Sequence, residues 1–296
     1  MVTGAHGLIG AALCRNLINS GREVLALGRR TQGPFAHDAM RYCNVDLTAV
    51  TQLDVEDPEV GGVVHLAAEL PRSFDAAGEV AARNQKMDNI VLSYARQHAL
   101  PLVYASSTSV YARPVDDVPT TEATQVSPQG DYARQKLDSE VLGQKLSQES
   151  GCRFSGLRIS APYGPGQQNS TVMKIFLRRG LAGEPLTYHG DGSRAQSFTY
   201  CEDVAQACVA ALDSPGGIYN IASQEPVTMK ALATTVAELC ALSPSLAAAS
   251  GEPDPQAGVR YVYDIRKAAQ ELGWSPTTSL RSGLVQFRDW LRTNEA

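Results

Sequence analysis

Residues 3–10 read Thr3-Gly4-Ala5-His6-Gly7-Leu8-Ile9-Gly10, three glycines spaced three apart between a short apolar start and a helix-patterned run. Glycine permits a tight turn there and lets the backbone approach a pyrophosphate closely. Ile9, Leu13 and Leu17 follow at four-residue intervals, one apolar face of a helix, and Ser20-Gly21 ends it with glycine at the usual C-terminal position. A helix that starts at such a turn offers free N–H groups and the positive end of its dipole to an anion. Gly4, His6, Gly7, Leu8, Ile9 and Gly10 are therefore the candidate lining for the phosphates of a dinucleotide. Only Met1, Val2 and Thr3 precede or open the turn, so the first strand is very short unless the natural chain begins a few residues earlier.

Working outward, strands and helices alternate. Val24–Leu27 and Val63–Leu66 are apolar runs of strand length; a helix is expected over Asn84–His98, a strand over Leu102–Ala105, a helix over Tyr132–Leu146 and a strand over Phe154–Ile159. Repeated βα units of this length imply an α/β fold, a Rossmann-type doubly wound parallel sheet with helices on both faces. Residues 1–160 are assigned to this dinucleotide-binding domain. From Ser160 the character changes: Pro162, Gly164, Pro165 and Gly166 make a stiff irregular loop, and the elements after it are mixed. Residues 161–296 are read mainly as a smaller mixed α/β substrate lobe, with segments near 197–223 crossing back to the sheet; Leu242–Pro255 reads as a flexible loop.

Composition narrows the function classes. The net charge of -5, with no lysine/arginine block, gives no nucleic-acid footprint. Six cysteines are scattered without a CxxC pair or a Cys/His cluster, so reduced thiols are expected and no metal site. No apolar run reaches the ~20 residues of a membrane helix, and the N-terminus is already a functional motif rather than a leader, so a cytoplasmic protein with no membrane partner is expected.

Two further features carry chemistry. The second strand ends in Leu27-Gly28-Arg29-Arg30, where an acid would bind the ribose 2′-hydroxyl of NAD; two arginines follow instead, which suit a 2′-phosphate, so NADP is favoured over NAD. Solvated surface charge is the other reading of Arg29 and Arg30. Tyr132-Ala133-Arg134-Gln135-Lys136 sets a phenol and an ammonium one helical turn apart on a shared face. A nearby ammonium and an oxidised nicotinamide both favour the phenolate, which then takes a proton from a substrate hydroxyl as hydride leaves carbon. Tyr104-Ala105-Ser106-Ser107-Thr108-Ser109 closes a parallel strand at the edge where ligands bind, and Ser107 is assigned to hold the substrate oxygen against Tyr132.

With a glycine loop, a Ser-Ser-x-x-Val-Tyr strand end and Tyr-x-x-x-Lys in that order, the chain resembles the extended short-chain dehydrogenase/reductases, above all the NAD(P)-dependent nucleotide-sugar epimerases and dehydratases. The resemblance implies roles for further residues. Asp46 and Leu47 would meet the adenine; Leu66, Ala67 and Ala68 would pass the pyrophosphate and ribose; Asn84 would support the active site; Pro162 would lie in the loop joining the nicotinamide and substrate sites. On the substrate side it implies Thr108, Ala161, His189, Gln196 and Arg260, with Arg260 the phosphate-binding arginine. Three departures stand out. Thr108 and Ser109 replace the Asp-Glu pair of the dehydratases, which points away from dehydration; Ala161 replaces an asparagine; Gln196 replaces a diphosphate-binding arginine, for which Arg194 is a possible substitute. The resemblance also implies a homodimer through helix pairs.

Three functions are weighed. The first is a nucleotide-sugar epimerase that recycles a tightly held cofactor, and the motifs favour it. The second is an NADPH-dependent reductase of a keto-sugar or natural-product ketone, consistent with the two arginines and the substrate-side departures. The third is a non-catalytic dinucleotide sensor, which has no need to keep Ser107, Tyr132 and Lys136 together.

Overall fold

A computed structural model of the chain describes every residue except 56, 58, 71–76, 115–117 and 296. Apolar runs at strand length are what a parallel sheet covered on both faces requires, and seven such strands assemble here. β1 (Val2–Thr3), β2 (Val24–Gly28), β3 (Met40–Asn44), β4 (Val63–His65), β5 (Leu102–Ser107), β6 (Phe154–Ile159) and β11 (Gly217–Ile221) form one sheet in the order β11-β6-β5-β4-β1-β2-β3. All six pairings are parallel. The chain leaves β1 in one direction toward β2 and β3 and resumes on its other side at β4. Strand order thus reverses at β1/β4, and a crevice opens at the carboxyl ends of those strands.

Helices cover both faces. α1 (Leu8–Asn19) and α5 (Cys201–Leu212) pack together on one, burying Leu13, Leu17, Val204 and Cys208; α2 (Ala77–Gln97) and α3 (Asp131–Ser150) pack together on the other. α1 stops where Gly21 takes φ +79 and α3 where Gly151 takes φ +72, conformations a side chain resists. A second core surrounds α4 (Val172–Leu181), α6 (Met229–Leu239) and α8 (Leu280–Asn294), with Phe176, Leu177, Leu232, Val236, Leu284 and Phe287 at its centre. Short strands edge it: β7 (Pro162–Tyr163) pairs with β10 (Thr199–Tyr200), β8 (Leu186–Tyr188) with β13 (Ala247–Ala249), and β9 (Ala195–Gln196) lies between β12 (Val227–Thr228) and β14 (Arg260–Tyr261). α7 (Arg266–Leu272) returns to pack on β11 of the large sheet.

The structure differs from the sequence reading in three places. α2 begins at Ala77, not Asn84, because Val80 is the one large apolar residue in Ala77–Arg83 and a single such residue marks no apolar period. α3 runs on past Leu146 to Ser150, its last turn polar and exposed. The stretch expected as a flexible loop, Leu242–Pro255, holds a 3-10 turn at Pro244–Leu246 and the strand β13. The pairing of β13 with β8, some sixty residues away, leaves no local signal in an alanine run.

Candidate active site

The glycine loop closes on itself with the Gly7 amide donating to the Gly4 carbonyl at 2.8 Å. Gly4 takes φ +67, and a Cβ there would meet Ala67 N at 2.7 Å; a Cβ on Gly10 would meet the Gly4 carbonyl oxygen at 2.2 Å. Glycine at both positions lets β1, the 66–69 segment and α1 converge. Thr3 fixes that convergence, its Oγ accepting the amides of Leu66 and Ala67, each at 3.2 Å. Gly7 caps α1 with no side-chain hydrogen bond and is exposed, so the cap residue itself puts no side chain over the first amides of α1. This cradle fits a pyrophosphate. Leu8 and Ile9 are half-buried against the second core and the α1/α5 core respectively.

Where the resemblance implies the adenosine, Asp46 closes a turn by accepting the Thr48 amide and hydroxyl at 2.9 and 2.7 Å, which hold its carboxyl below the usual carboxylate range. Leu47 is buried and Ala68 exposed. Arg29 and Arg30 are both exposed; Arg29 reaches Glu69 at 3.3 Å, and Glu69 also pairs with Arg83 at 2.7 Å. Sequence reasoning missed Tyr42. A Cβ on Gly28 would lie 3.0 Å from the Tyr42 hydroxyl and 3.1 Å from His6 Nδ1, so the phenol and the imidazole occupy the space an acidic side chain at this strand end would enter. His6 stacks edge-on to Tyr42 at 5.4 Å and shares a hydrogen bond with the Gln32 carbonyl at 2.7 Å. Asn84, fully buried, clasps the backbone of Glu69: it accepts the amide at 2.8 Å and donates to the carbonyl at 2.9 Å. It thereby holds the segment that passes the cradle.

The proton-transfer candidates sit one strand further along. Tyr132 opens α3 and is half-buried; Lys136, one turn on, is buried. The Lys136 ammonium donates to the Ala105 carbonyl of β5 at 2.8 Å, and lies 4.7 Å from the Tyr104 ring centre and 5.9 Å from that of Tyr132. Lys136 is therefore anchored two residues from Ser107, whose Oγ accepts the Ser109 amide at 3.1 Å at the end of β5. Thr108 follows in a 3-10 turn, half-buried. Ser106 points the other way and donates to Glu140, which also forms a buried pair with Arg158 at 2.7 Å.

On the substrate side, Ala161 has φ +32, strained for a residue with a Cβ, and leads into Pro162 of β7, which is registered against Thr199. Gln196 lies on β9 opposite Val227 and Tyr261, with Arg260 opposite the neighbouring Ala195. Arg194 is engaged elsewhere, 3.3 Å from Asp254 and 3.4 Å from Gln256. His189 is exposed. Among the described residues no helix is long and apolar enough to cross a membrane, and no group of three His, Cys, Asp or Glu could hold a metal.

Residues 1–222 match the profile of the NAD dependent epimerase/dehydratase family. The chain is 25% identical over 315 residues to a trifunctional UDP-glucose 4,6-dehydratase/UDP-4-keto-6-deoxy-D-glucose 3,5-epimerase/UDP-4-keto-L-rhamnose-reductase of Arabidopsis thaliana; 99% of this chain is aligned, but it spans only 47% of that protein's length. It is 29% identical to an uncharacterized UDP-glucose epimerase of Bacillus subtilis, over 96% of this chain and 95% of that one. Among solved structures, the UDP-glucose 4-epimerase of Thermus thermophilus in complex with NAD superposes with a TM-score of 0.82 at 26% identity, covering 99% of this chain and 98% of the other.

Proposed function

The chain belongs to the NAD dependent epimerase/dehydratase family, and from that premise we propose that it is an NAD(P)-dependent nucleotide-sugar epimerase acting on an alcohol carbon through a transient ketone. The observation that carries the reading is Lys136, anchored on Ala105 between Tyr132 and the strand end that bears Ser107. Gly4, Gly7 and Gly10 would hold the pyrophosphate of a nicotinamide cofactor, which would supply a reversible hydride acceptor. Ser107 holds the reacting oxygen. Tyr132 takes the proton from that oxygen, with the Lys136 ammonium stabilising the phenolate, and later returns it. Rotation of the ketone between the two proton transfers inverts the carbon, with no net redox change.

The substrate side supports a nucleotide-sugar diphosphate bound near Gln196 and Arg260, with His189 beside the base and Ala161 and Thr108 facing the sugar. Arg194 is turned toward Asp254, and Arg260, opposite Ala195 on the neighbouring strand, takes the phosphate contact that the family resemblance implies for it. For the cofactor we favour NADP. Tyr42 and His6 fill the place of an acid at Gly28, and the exposed Arg29 and Arg30 follow it, Arg29 shared with Glu69. The relatives' NAD makes NAD the other outcome. A homodimer through α2 and α3 completes the proposal.

The test is the nucleotide released on denaturing fresh protein, identified by mass, together with conversion of UDP-sugars by wild type and Tyr132→Phe. Stoichiometric NADP or NAD and an epimer produced without added cofactor are expected. Loss of the proton-transfer group should slow turnover by ~10²–10⁴-fold with cofactor retained. An empty site that consumes NADPH on keto-sugars would favour the reductase. Substantial turnover by Tyr132→Phe would remove the mechanism.

A further inference from the structure

A buried polar chain joins the glycine loop to the catalytic helix, and the reaction scheme makes no use of it. Because the Thr3 hydroxyl oxygen already accepts the Leu66 and Ala67 amides, its own proton goes to His65 Nδ1 at 2.6 Å. His65 then carries its proton on Nε2 and donates to Asp88 Oδ1 at 2.9 Å. Asp88 Oδ2 accepts the Tyr104 hydroxyl and the Gln135 amide, each at 2.6 Å. The side chains of His65 and Asp88 have no exposure at all. Burial by itself pushes the Asp88 carboxyl up; the Lys136 charge and the hydrogen bonds from His65 and Tyr104 outweigh it and hold the carboxyl at about 2.

The relation is reciprocal. Lys136 is buried between the Tyr104 ring and the β5 backbone, and burial disfavours a charge that has no counter-charge nearby. The other titratable groups packed around this point do not supply that counter-charge. His65 on β4 is a neutral donor, Tyr104 on β5 is a protonated donor held well above the usual phenol range by burial, and Tyr132 is the reacting phenol. Glu140, one turn further along α3, is taken up by Arg158 of β6 and by Ser106. Asp88, which accepts the hydroxyl of the Tyr104 ring that lies against Lys136, is the anion this cluster places on that side of the ammonium.

We propose that Asp88 is a positioning residue for the proton-transfer pair: it keeps Lys136 charged and in place beside Tyr132, and through His65 and Thr3 it couples that pair to the seating of the cofactor loop. The inference rests on the reading of Tyr132 and Lys136 given above. Removing the anion takes a negative charge from beside both the ammonium and the reacting phenol, and the loss acts on the two in the same direction.

The experiment compares wild type, Asp88→Asn and Tyr104→Phe as full-length protein with cofactor bound. Two readouts are taken: the pH profile of kcat/KM, and the phenolate absorbance of Tyr132, isolated by difference from the matching Tyr132→Phe protein. A single neighbouring charge moves a titration by ~1–3 units, so Asp88→Asn should shift both limbs and the phenolate titration downward by about one pH unit. Tyr104→Phe removes one hydrogen bond to Asp88 but keeps its charge and the ring over Lys136, so its curves should stay on the wild type's. Curves for Asp88→Asn that superimpose on wild type, whatever its melting temperature, would overturn the proposal, as would an equal shift in Tyr104→Phe. The absorbance titration needs no turnover, so it separates this inference from the reaction assignment, which fails only if Tyr132→Phe remains active. If Asp88→Asn does not fold, ¹³C-labelled wild type decides: the Asp88 carboxyl should stay ionised from about pH 4 upward, and a carboxyl that protonates above that point refutes the anion.

Discussion

Replacing Gly10 by alanine puts the cofactor cradle to a quantitative test. The added Cβ would lie 2.2 Å from the Gly4 carbonyl oxygen, 2.8 Å from Ala5 Cα and 2.9 Å from Gly4 C, all backbone atoms of the loop that no rotamer change can move. Carbon and carbonyl oxygen sit comfortably at roughly 3.3 Å or more, so α1 and the loop must part by about 1 Å. That displacement strains the Gly7-to-Gly4 hydrogen bond and tilts the first amides of α1 away from the place proposed for the pyrophosphate. Overpacking of this kind costs ~1–3 kcal/mol of stability. Misplacement of a binding group by about 1 Å costs on the order of 10²-fold, which corresponds to ~2.7 kcal/mol of cofactor affinity. Calorimetric titration with NADP and NAD, alongside a thermal melt, measures both. Gly21→Ala is the control: φ +79 makes it strained, but nothing lies within 4 Å of the new carbon, so it should lose stability and keep its affinity. If Gly10→Ala binds cofactor within about twofold of wild type, the cradle is not where the pyrophosphate rests.

Three further outcomes follow from the geometry. Arg158→Met leaves Glu140 enclosed with one side-chain donor, Ser106, and should destabilise the chain by ~3–5 kcal/mol, while the double change with Glu140→Leu should recover most of that in a denaturant titration. Ala161→Gly relieves a backbone held at φ +32 and should raise stability by roughly 1 kcal/mol, read as a higher melting temperature. Asp88 titrates at about 2 in the folded chain against an ordinary 3.8, so its contribution of ~2 kcal/mol is present above pH 3.8 and is lost as pH falls through 2. Asp88→Asn should flatten the fall of unfolding free energy across that acid window, and an unchanged slope would show that the carboxyl is not held ionised.

By itself the sequence determined the doubly wound sheet, the glycine cradle and the Tyr132–Lys136 pair, because each is written in local chain chemistry. Glycine spacing dictates a turn, apolar runs of strand length dictate a covered parallel sheet, and a four-residue interval on a helix dictates a shared face. Strand β6, Phe154–Ile159, was legible to the residue for that reason. What only the tertiary structure decided comes from contacts between distant segments. Asp88 reads as one more polar residue on α2 until β4, β5 and α3 enclose it with His65, Tyr104 and Gln135. Tyr42 matters only because β3 pairs with β2 and carries the phenol to Gly28. The orientation of Arg194 depends on Asp254, sixty residues away, and that of Arg29 on Glu69. Chain pattern fixes what a segment can become; which buried charge faces which depends on the burial of several segments at once, where desolvation makes each pairing obligatory.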